Sequence, residues 1–340
     1  MGMRIEQNIA LKAFNTFGIE LQARFFAEIN ALGDFTELLE EKVYKAGKPL
    51  ILGGGSNLLF TKNYDGLVIK NNLHGIEVVQ QDENSVWVKV CAGENWHQFV
   101  LWCVQNNYGG LENLSLIPGC VGAAPMQNIG AYGVEIKDSC QKVFALDLEN
   151  GKETVFTNAD CSFGYRESVF KHALKNKFLI TAVVFKLSKK PVFNTSYGAI
   201  EQELAVMGVK DLSIKAISDA VIRIRSSKLP DPNEKGNAGS FFKNPEVSKQ
   251  KQDELKIKFE KLVSYELDNG NYKLAAGWLI EQCGLKGKRL GNAGVHDKQA
   301  LVLVNHGGAT GAEIYKLSQE VLDAVQQKFG VMLEREVNIY

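Results

Sequence analysis

The chain has 340 residues, 45% of them hydrophobic and 23% charged, with Lys+Arg and Asp+Glu both totalling 39. That length exceeds one ordinary hydrophobic core and predicts two or three domains, and the composition excludes a disordered or fibrous chain. Zero net charge argues against a nucleic-acid partner, whose recognition calls for a basic surface, and no apolar run reaches the roughly 20 residues that cross a bilayer.

Met1–Asn8 is short and polar and lacks the apolar stretch of a secretory signal, so a cytoplasmic chain is expected. The first elements are a short strand or loop at 23–28 and an amphipathic helix around 35–44. The apolar strand 49–52 then runs straight into Gly53-Gly54-Gly55-Ser56-Asn57. A short strand follows at Leu67-Val68-Ile69. Alternation of Val86, Val88 and Val90 predicts a half-buried strand over 85–91, and helical spacing of Trp96, Phe99, Val100 and Cys103 predicts a helix over 96–105.

Residues 111–133 are rich in Gly, Ala and Asn and nearly uncharged, which reads as a packed irregular loop rather than a linker. Strands at 143–148, 154–157 and 178–187 predict an antiparallel sheet. A helix over 214–225 stops at Leu229-Pro230-Asp231-Pro232. Helices at 274–283 and 314–329, a strand at 300–305 and a C-terminal strand at 331–339 complete the pattern, with a boundary expected near residue 210. The six cysteines (Cys91, Cys103, Cys120, Cys140, Cys161, Cys283) contain no C-x-x-C pair, so neither a metal site nor a disulfide framework is expected.

Two segments carry chemistry. In Gly53-Gly54-Gly55-Ser56-Asn57 successive N–H groups can converge on an anion, and glycine permits positive φ and close approach. The loop lacks the Lys of a Walker A motif and the spacing of a Rossmann fingerprint, so a plain tight turn stays open. In Ile117-Pro118-Gly119-Cys120-Val121-Gly122-Ala123-Ala124-Pro125, continuing to Gln127-Asn128-Ile129-Gly130-Ala131-Tyr132-Gly133, small residues let backbone lie against a flat ligand. The alternative is a tightly packed loop under a sheet. Two such segments together suggest room for a dinucleotide pyrophosphate.

These segments, together with Asn15-Thr16-Phe17-Gly18, Phe163-Gly164-Tyr165-Arg166-Glu167-Ser168, Lys228-Leu229-Pro230-Asp231-Pro232 and Asn237-Ala238-Gly239-Ser240-Phe241-Phe242-Lys243-Asn244-Pro245, resemble the UDP-N-acetylenolpyruvoylglucosamine reductase family. Ala275-Ala276-Gly277-Trp278-Leu279-Ile280, His296-Asp297-Lys298-Gln299-Ala300 and Leu333-Glu334-Arg335-Glu336-Val337 extend the likeness from about residue 11 onward. The resemblance implies an α+β fold: two FAD-binding lobes of the vanillyl-alcohol-oxidase (PCMH) type, at 1–75 and 76–210, and a C-terminal α+β substrate domain at 211–340, whose last strand is free to return to the lobes. It implies reduction of UDP-N-acetylglucosamine enolpyruvate to UDP-N-acetylmuramate with NADPH through bound FAD, in peptidoglycan synthesis and thus cell-wall biogenesis.

The resemblance assigns catalysis to Arg166, Ser240 and Glu336. Arg166 or a protonated Glu336 would stabilise developing negative charge, and Ser240 would give a proton to carbon. The same likeness places Gly53, Gly54, Gly55, Ser56, Asn57, Pro118, Gly119, Gly122, Ala123, Gly130 and Tyr132 at FAD. It places Tyr197, Lys228, Asn244 and Gln299 at the substrate, Tyr197 marking the loop-bearing subtype. Positions 123 and 124 are Ala where some members carry Ser, which removes any hydroxyl contact to FAD there. Two other readings stay open. An oxidase of the same lobe architecture needs the glycine segments without Lys228, Ser240 and Glu336, and a catalytically inactive nucleotide-sugar or flavin-binding module has no need of Arg166, Ser240 and Glu336. The preference for NADPH comes from the resemblance alone, and nothing in the sequence decides the oligomeric state.

Overall fold

Strict alternation produces the strand Ser85–Cys91, whose Val86, Val88 and Val90 face a core that excludes water. The computed structural model describes residues 4–340; the first three residues of the polar N-terminus lie outside that range. This strand belongs to a five-stranded sheet in the order Glu153–Thr157, Cys140–Asp147, Phe178–Ser188, Ser85–Cys91, Ile76–Gln81. All its pairings are antiparallel, as expected, with Val88 opposite Phe185 and Val143 opposite Val183.

Two compact units make up the chain. The first comprises residues 4–9, Ala23–Gly55 and Asp65–Ser227; the second comprises Ala10–Gln22, Ser56–Tyr64 and Lys228–Tyr340. In the first unit a four-stranded sheet, ordered Ile5–Ala10, Gln22–Ile29, Tyr64–Asn71, Leu50–Leu52, ends in a parallel pair with Leu52 opposite Lys70. Where one helix was expected around Phe35–Tyr44, two form: α1 (Leu32–Glu40) and α2 (Lys42–Lys45), separated by extended Glu41 (φ −72°, ψ 137°). The break has a geometric cause. Nine residues at about 100° each would place Tyr44 on the opposite side of one helix from Phe35. The interruption instead lets both rings reach one core, 5.9 Å apart, with the Tyr44 hydroxyl donating to the Leu148 carbonyl.

Helix α3 (Trp96–Gln105) starts where Asn95 Oδ1 accepts the Gln98 N–H at 3.0 Å. Its buried face sets Trp96 and Phe99 against Phe185, at 5.8 and 5.3 Å between centroids. Each such ring contributes about 1.5–3 kcal/mol by burial. Helix α4 (Gly198–Val206) has no counterpart in the sequence expectations. It packs Ile200 and Leu204 against Ile217, Val221 and Ile224 of α5 (Ile214–Lys228), which runs three residues past its expected end.

The second unit holds a four-stranded sheet ordered Gly236–Ser240, Val302–Asn305, Ala293–Val295, Arg289–Leu290, and a three-stranded one ordered Glu246–Val247, Tyr272–Leu274, Ser264–Glu266. Its helices are α6 (Lys249–Lys258), α7 (Ala276–Gln282) and α8 (Gly311–Phe329). The helix expected from residue 274 therefore starts at Ala276, because Tyr272–Leu274 pairs as strand. The expected terminal strand 331–339 is mostly extended chain with one bridge, Phe242 to Arg335. Only Asn338–Ile339 forms a regular strand, parallel to Leu58–Leu59. Among the described residues no helix is long and apolar enough to cross a membrane.

Helix α8 begins with a capping box between Thr310 and Glu313, and its first residue packs on main chain. A Cβ at Gly311 would lie 1.7 Å from the Phe60 carbonyl oxygen. Gly311→Ala is expected to destabilise the protein by about 3 kcal/mol through overpacking, read as a lower urea midpoint. Gly33→Ala inside α1, where an added Cβ meets nothing within 4 Å, is the control and is expected to be neutral or stabilising.

Candidate active site

In the first unit the two glycine segments meet backbone to backbone. A Cβ on Gly54 would fall 2.7 Å from Gly119 Cα, and one on Gly122 would fall 2.5 Å from Ala92 Cβ. The second segment is held to residues 92–96 by the Trp96 N–H on the Gly119 carbonyl (3.0 Å), the Val121 N–H on the Glu94 carbonyl (2.9 Å) and the Gly122 N–H on the Ala92 carbonyl (2.9 Å). Gly119 needs φ of 114°, a value that glycine alone adopts cheaply. The segment is thus both the packed loop and the side-chain-poor surface of the two sequence readings. Of the two alanines, Ala123 is exposed and Ala124 buried. The five-residue loop itself divides: Gly53–Gly55 packs with the first unit, Ser56 and Asn57 with the second. Pro118 is exposed beside Gly119.

Gly130–Ala131 and Val134–Glu135 form a hairpin whose turn residues, Tyr132 and Gly133, have φ of 50° and 79°, the signs a type I′ turn requires. Arg166 sits in another tight turn, closed by reciprocal bonds between Gly164 and Glu167. Its φ of 56° is strained for arginine, at a cost of roughly 1–3 kcal/mol. Its Nη2 donates to the Gly130 carbonyl at 2.9 Å, and Lys171 Nζ donates to its own carbonyl at 3.0 Å. The Tyr132 ring meets Tyr197 edge-on at 5.4 Å, and the Tyr197 segment is held by Asn113 Nδ2 donating to the Tyr132 and Asn194 carbonyls.

Arg225, absent from the sequence reading, joins this group from α5. It bonds the Tyr132 phenol, and its Nε donates to the Leu116 carbonyl at 3.2 Å. Burial lowers its pKa, Tyr132 opposes that shift, and the neighbouring charge of Arg166 adds to it. Two guanidiniums and two phenols together suit a carboxylate or phosphate group. Arg166, Gly130, Tyr132 and Tyr197 are thus neighbours in the first unit.

In the second unit the strand Gly236–Ser240 pairs with Val302–Asn305 but bulges between Asn237 and Ser240, where Gly239 takes φ of 67°. Asn237 supports the bulge, its Oδ1 accepting the Gly239 N–H (2.9 Å) and its Nδ2 donating to the Pro230 and Lys235 carbonyls. A bulge re-aims the residue beyond it, here Ser240, while Phe241 and Phe242 anchor the segment in the core. The Glu336 N–H donates to the Phe241 carbonyl at 2.8 Å, the Lys243 N–H to Glu334 at 2.9 Å, and Lys243 Nζ pairs with the Glu334 carboxylate at 2.6 Å. Glu336 therefore stands opposite the residue after Ser240. Arg335 turns the other way, over the Tyr315 ring at 4.5 Å and onto Ser318 and Gln319 of α8. Asn57 joins here, its carbonyl accepting both the backbone and side-chain N–H of Asn338.

Asn244 and Gln299 converge on the start of α7. Asn244 Oδ1 accepts the Ala276 N–H at 2.9 Å, and Gln299 Oε1 would lie 3.1 Å from a Cβ on Gly277. Lys228 is exposed at the end of α5. No disulfide links the six cysteines. Burial raises the thiols of all six, those of Cys140 and Cys161 to about 12, which keeps them protonated and unreactive.

Residues 231–340 match the model of the UDP-N-acetylenolpyruvoylglucosamine reductase C-terminal domain, and residues 41–157 match an FAD binding domain. The chain is 52% identical over 338 residues to the UDP-N-acetylenolpyruvoylglucosamine reductase of Flavobacterium johnsoniae, spanning 99% of this chain and 100% of that one. It is 46% identical over the full length of both chains to the enzyme of that name from Pseudomonas putida. The crystal structure of UDP-N-acetylenolpyruvylglucosamine reductase from Thermus caldophilus is similar at a TM-score of 0.68 and 25% identity, over 99% of each chain. The chain belongs to the UDP-N-acetylenolpyruvoylglucosamine reductase family.

Proposed function

We propose that this chain reduces the enolpyruvyl ether of UDP-N-acetylglucosamine enolpyruvate to UDP-N-acetylmuramate with NADPH, using bound FAD, in the cytoplasm as a step of peptidoglycan-precursor synthesis. The observation that carries the reading is Ser240 on a supported bulge with Glu336 locked opposite Phe241, in a chain alike from end to end to enzymes of that name. The close approach of Gly54 to Gly119 fits FAD, since it has no room for side chains, and the Gly54 N–H, which has no hydrogen-bond partner among the described residues, can serve a diphosphate.

FAD, held at the Gly53–Gly54 and Gly119 backbone, would supply the two-electron relay between NADPH and the methylene carbon of the enolpyruvyl group. Charge then develops on the neighbouring carbon and spreads into the substrate carboxylate. Arg166, already oriented by the Gly130 carbonyl, stabilises that charge, and Glu336 in its protonated form does the same. Ser240 protonates the carbon; a hydroxyl suffices because a carbanion is a strong base. For the substrate, Lys228 offers a compact cation to the diphosphate, and Asn244, with Oδ1 already used, donates from Nδ2. Gln299 and Tyr197 complete its contacts.

Anaerobic incubation with NADPH and the UDP-enolpyruvyl sugar tests the reading. The expected product is heavier than the sugar by two hydrogens, formed in step with NADPH loss. NADPH consumption that needs oxygen and ignores the sugar would favour the oxidase alternative.

A further inference from the structure

We propose that Lys70 is a cofactor-positioning residue: it locks the Gly53–Gly54 peptide so that the Gly54 N–H faces the diphosphate of FAD, and it adds a positive charge beside that site. The inference rests on the reading that the glycine loop holds the FAD diphosphate, and it names a residue that none of the motifs contains.

Lys70 pairs with Leu52 in the parallel ladder, so its side chain emerges where the strand Leu50–Leu52 hands over to Gly53. Its Nζ donates to the Gly53 carbonyl at 3.0 Å and the Asn71 carbonyl at 3.4 Å. In a trans peptide the C=O of one residue and the N–H of the next point to opposite sides of the bond. Holding the Gly53 carbonyl therefore turns the Gly54 N–H the other way, and among the described residues that N–H has no hydrogen-bond partner. The lock matters because consecutive glycines flip at low cost, with φ of either sign accessible.

The charge carries the second half of the argument. Lys70 is half-buried, its partners are carbonyls, and among the described residues it forms no ion pair. A half-buried ammonium is ordinarily paired with an anion. Its field reaches the other glycine segment, where it draws the Cys120 thiol down against the larger upward push of burial. Two of its three donors are used by the carbonyls and one remains.

The test is cofactor affinity of the full-length apoprotein, read by quenching of flavin fluorescence. Lys70→Met is expected to weaken FAD binding about 10- to 100-fold and to flatten its dependence on ionic strength, with riboflavin binding unchanged. Lys70→Arg, which keeps the charge and a donor, should recover most of the affinity. Equal losses for FAD and riboflavin would mean general loosening of the cradle and overturn the proposal. Gly54→Ala separates the two readings. If it weakens FAD binding while Lys70→Met does not, the role of Lys70 fails alone; if neither does, the loop does not hold the diphosphate.

Discussion

Replacing Ser240 by alanine is expected to leave NADPH-driven bleaching of the flavin intact while sugar reduction falls by about 10²- to 10⁴-fold. The separation follows from where Ser240 stands. It belongs to the second unit, on a strand held by Val302, Leu301 and the Asn237 bulge, whereas the glycine cradle belongs to the first. Removing one half-buried hydroxyl leaves Phe241 and Phe242 in place, so the fold and the Glu336 register survive. Rapid-scan absorbance with NADPH alone, and then with sugar, reads both steps on one sample. A loss of turnover within about a factor of two would remove Ser240 from the chemistry.

Arg166→Lys is expected to lower turnover by about 10²- to 10³-fold, in kcat and kcat/KM alike, with little change in thermal stability. Lysine keeps the charge but not the planar fork, so it cannot hold the Gly130 carbonyl through one nitrogen and present a second pair of N–H groups to a carboxylate. The turn itself is indifferent to the change, since lysine, unbranched at Cβ like arginine, pays a similar cost at a φ of 56°. Steady-state kinetics beside a thermal melt distinguish the outcomes. Unchanged kcat, or a loss explained by unfolding, would contradict the role. That a strained arginine persists beside Arg225, which it repels, fits a site kept for binding an anion rather than for stability.

Much of the fold was legible wherever one period dominated. The strand over Ser85–Cys91 and the helix over Trp96–Gln105 match their expected bounds because alternation in one and helical spacing in the other admit no rival. The break at Glu41 was hidden because Phe35 and Tyr44 each fit a helix locally and conflict only over nine residues. The terminal segment reads as strand through Val331, Leu333, Arg335 and Val337. The chain facing it soon reaches Pro245, which has no N–H to give, and the pairing stays at one bridge.

The site was legible as motifs, not as contacts. Glycines mark both halves of the cradle, yet nothing in sequence says that Gly54 rests on Gly119, 65 positions away. Lys70 looked like the residue after a short strand, and Arg225 like the last turn of a helix whose signal was Ile217, Ala220, Val221 and Ile224. Only the carbonyl of Gly53 and the phenol of Tyr132 give those cations meaning. Packing of Ala10–Gln22 and Ser56–Tyr64 with the C-terminal third was equally invisible, since long-range association leaves no periodicity to read.

The most direct measurement is an anaerobic two-step titration of the purified yellow protein. One equivalent of NADPH should bleach the visible flavin band, and one equivalent of UDP-N-acetylglucosamine enolpyruvate should restore it without oxygen. A band that stays bleached until air is admitted, with the sugar recovered unreduced, would contradict the account.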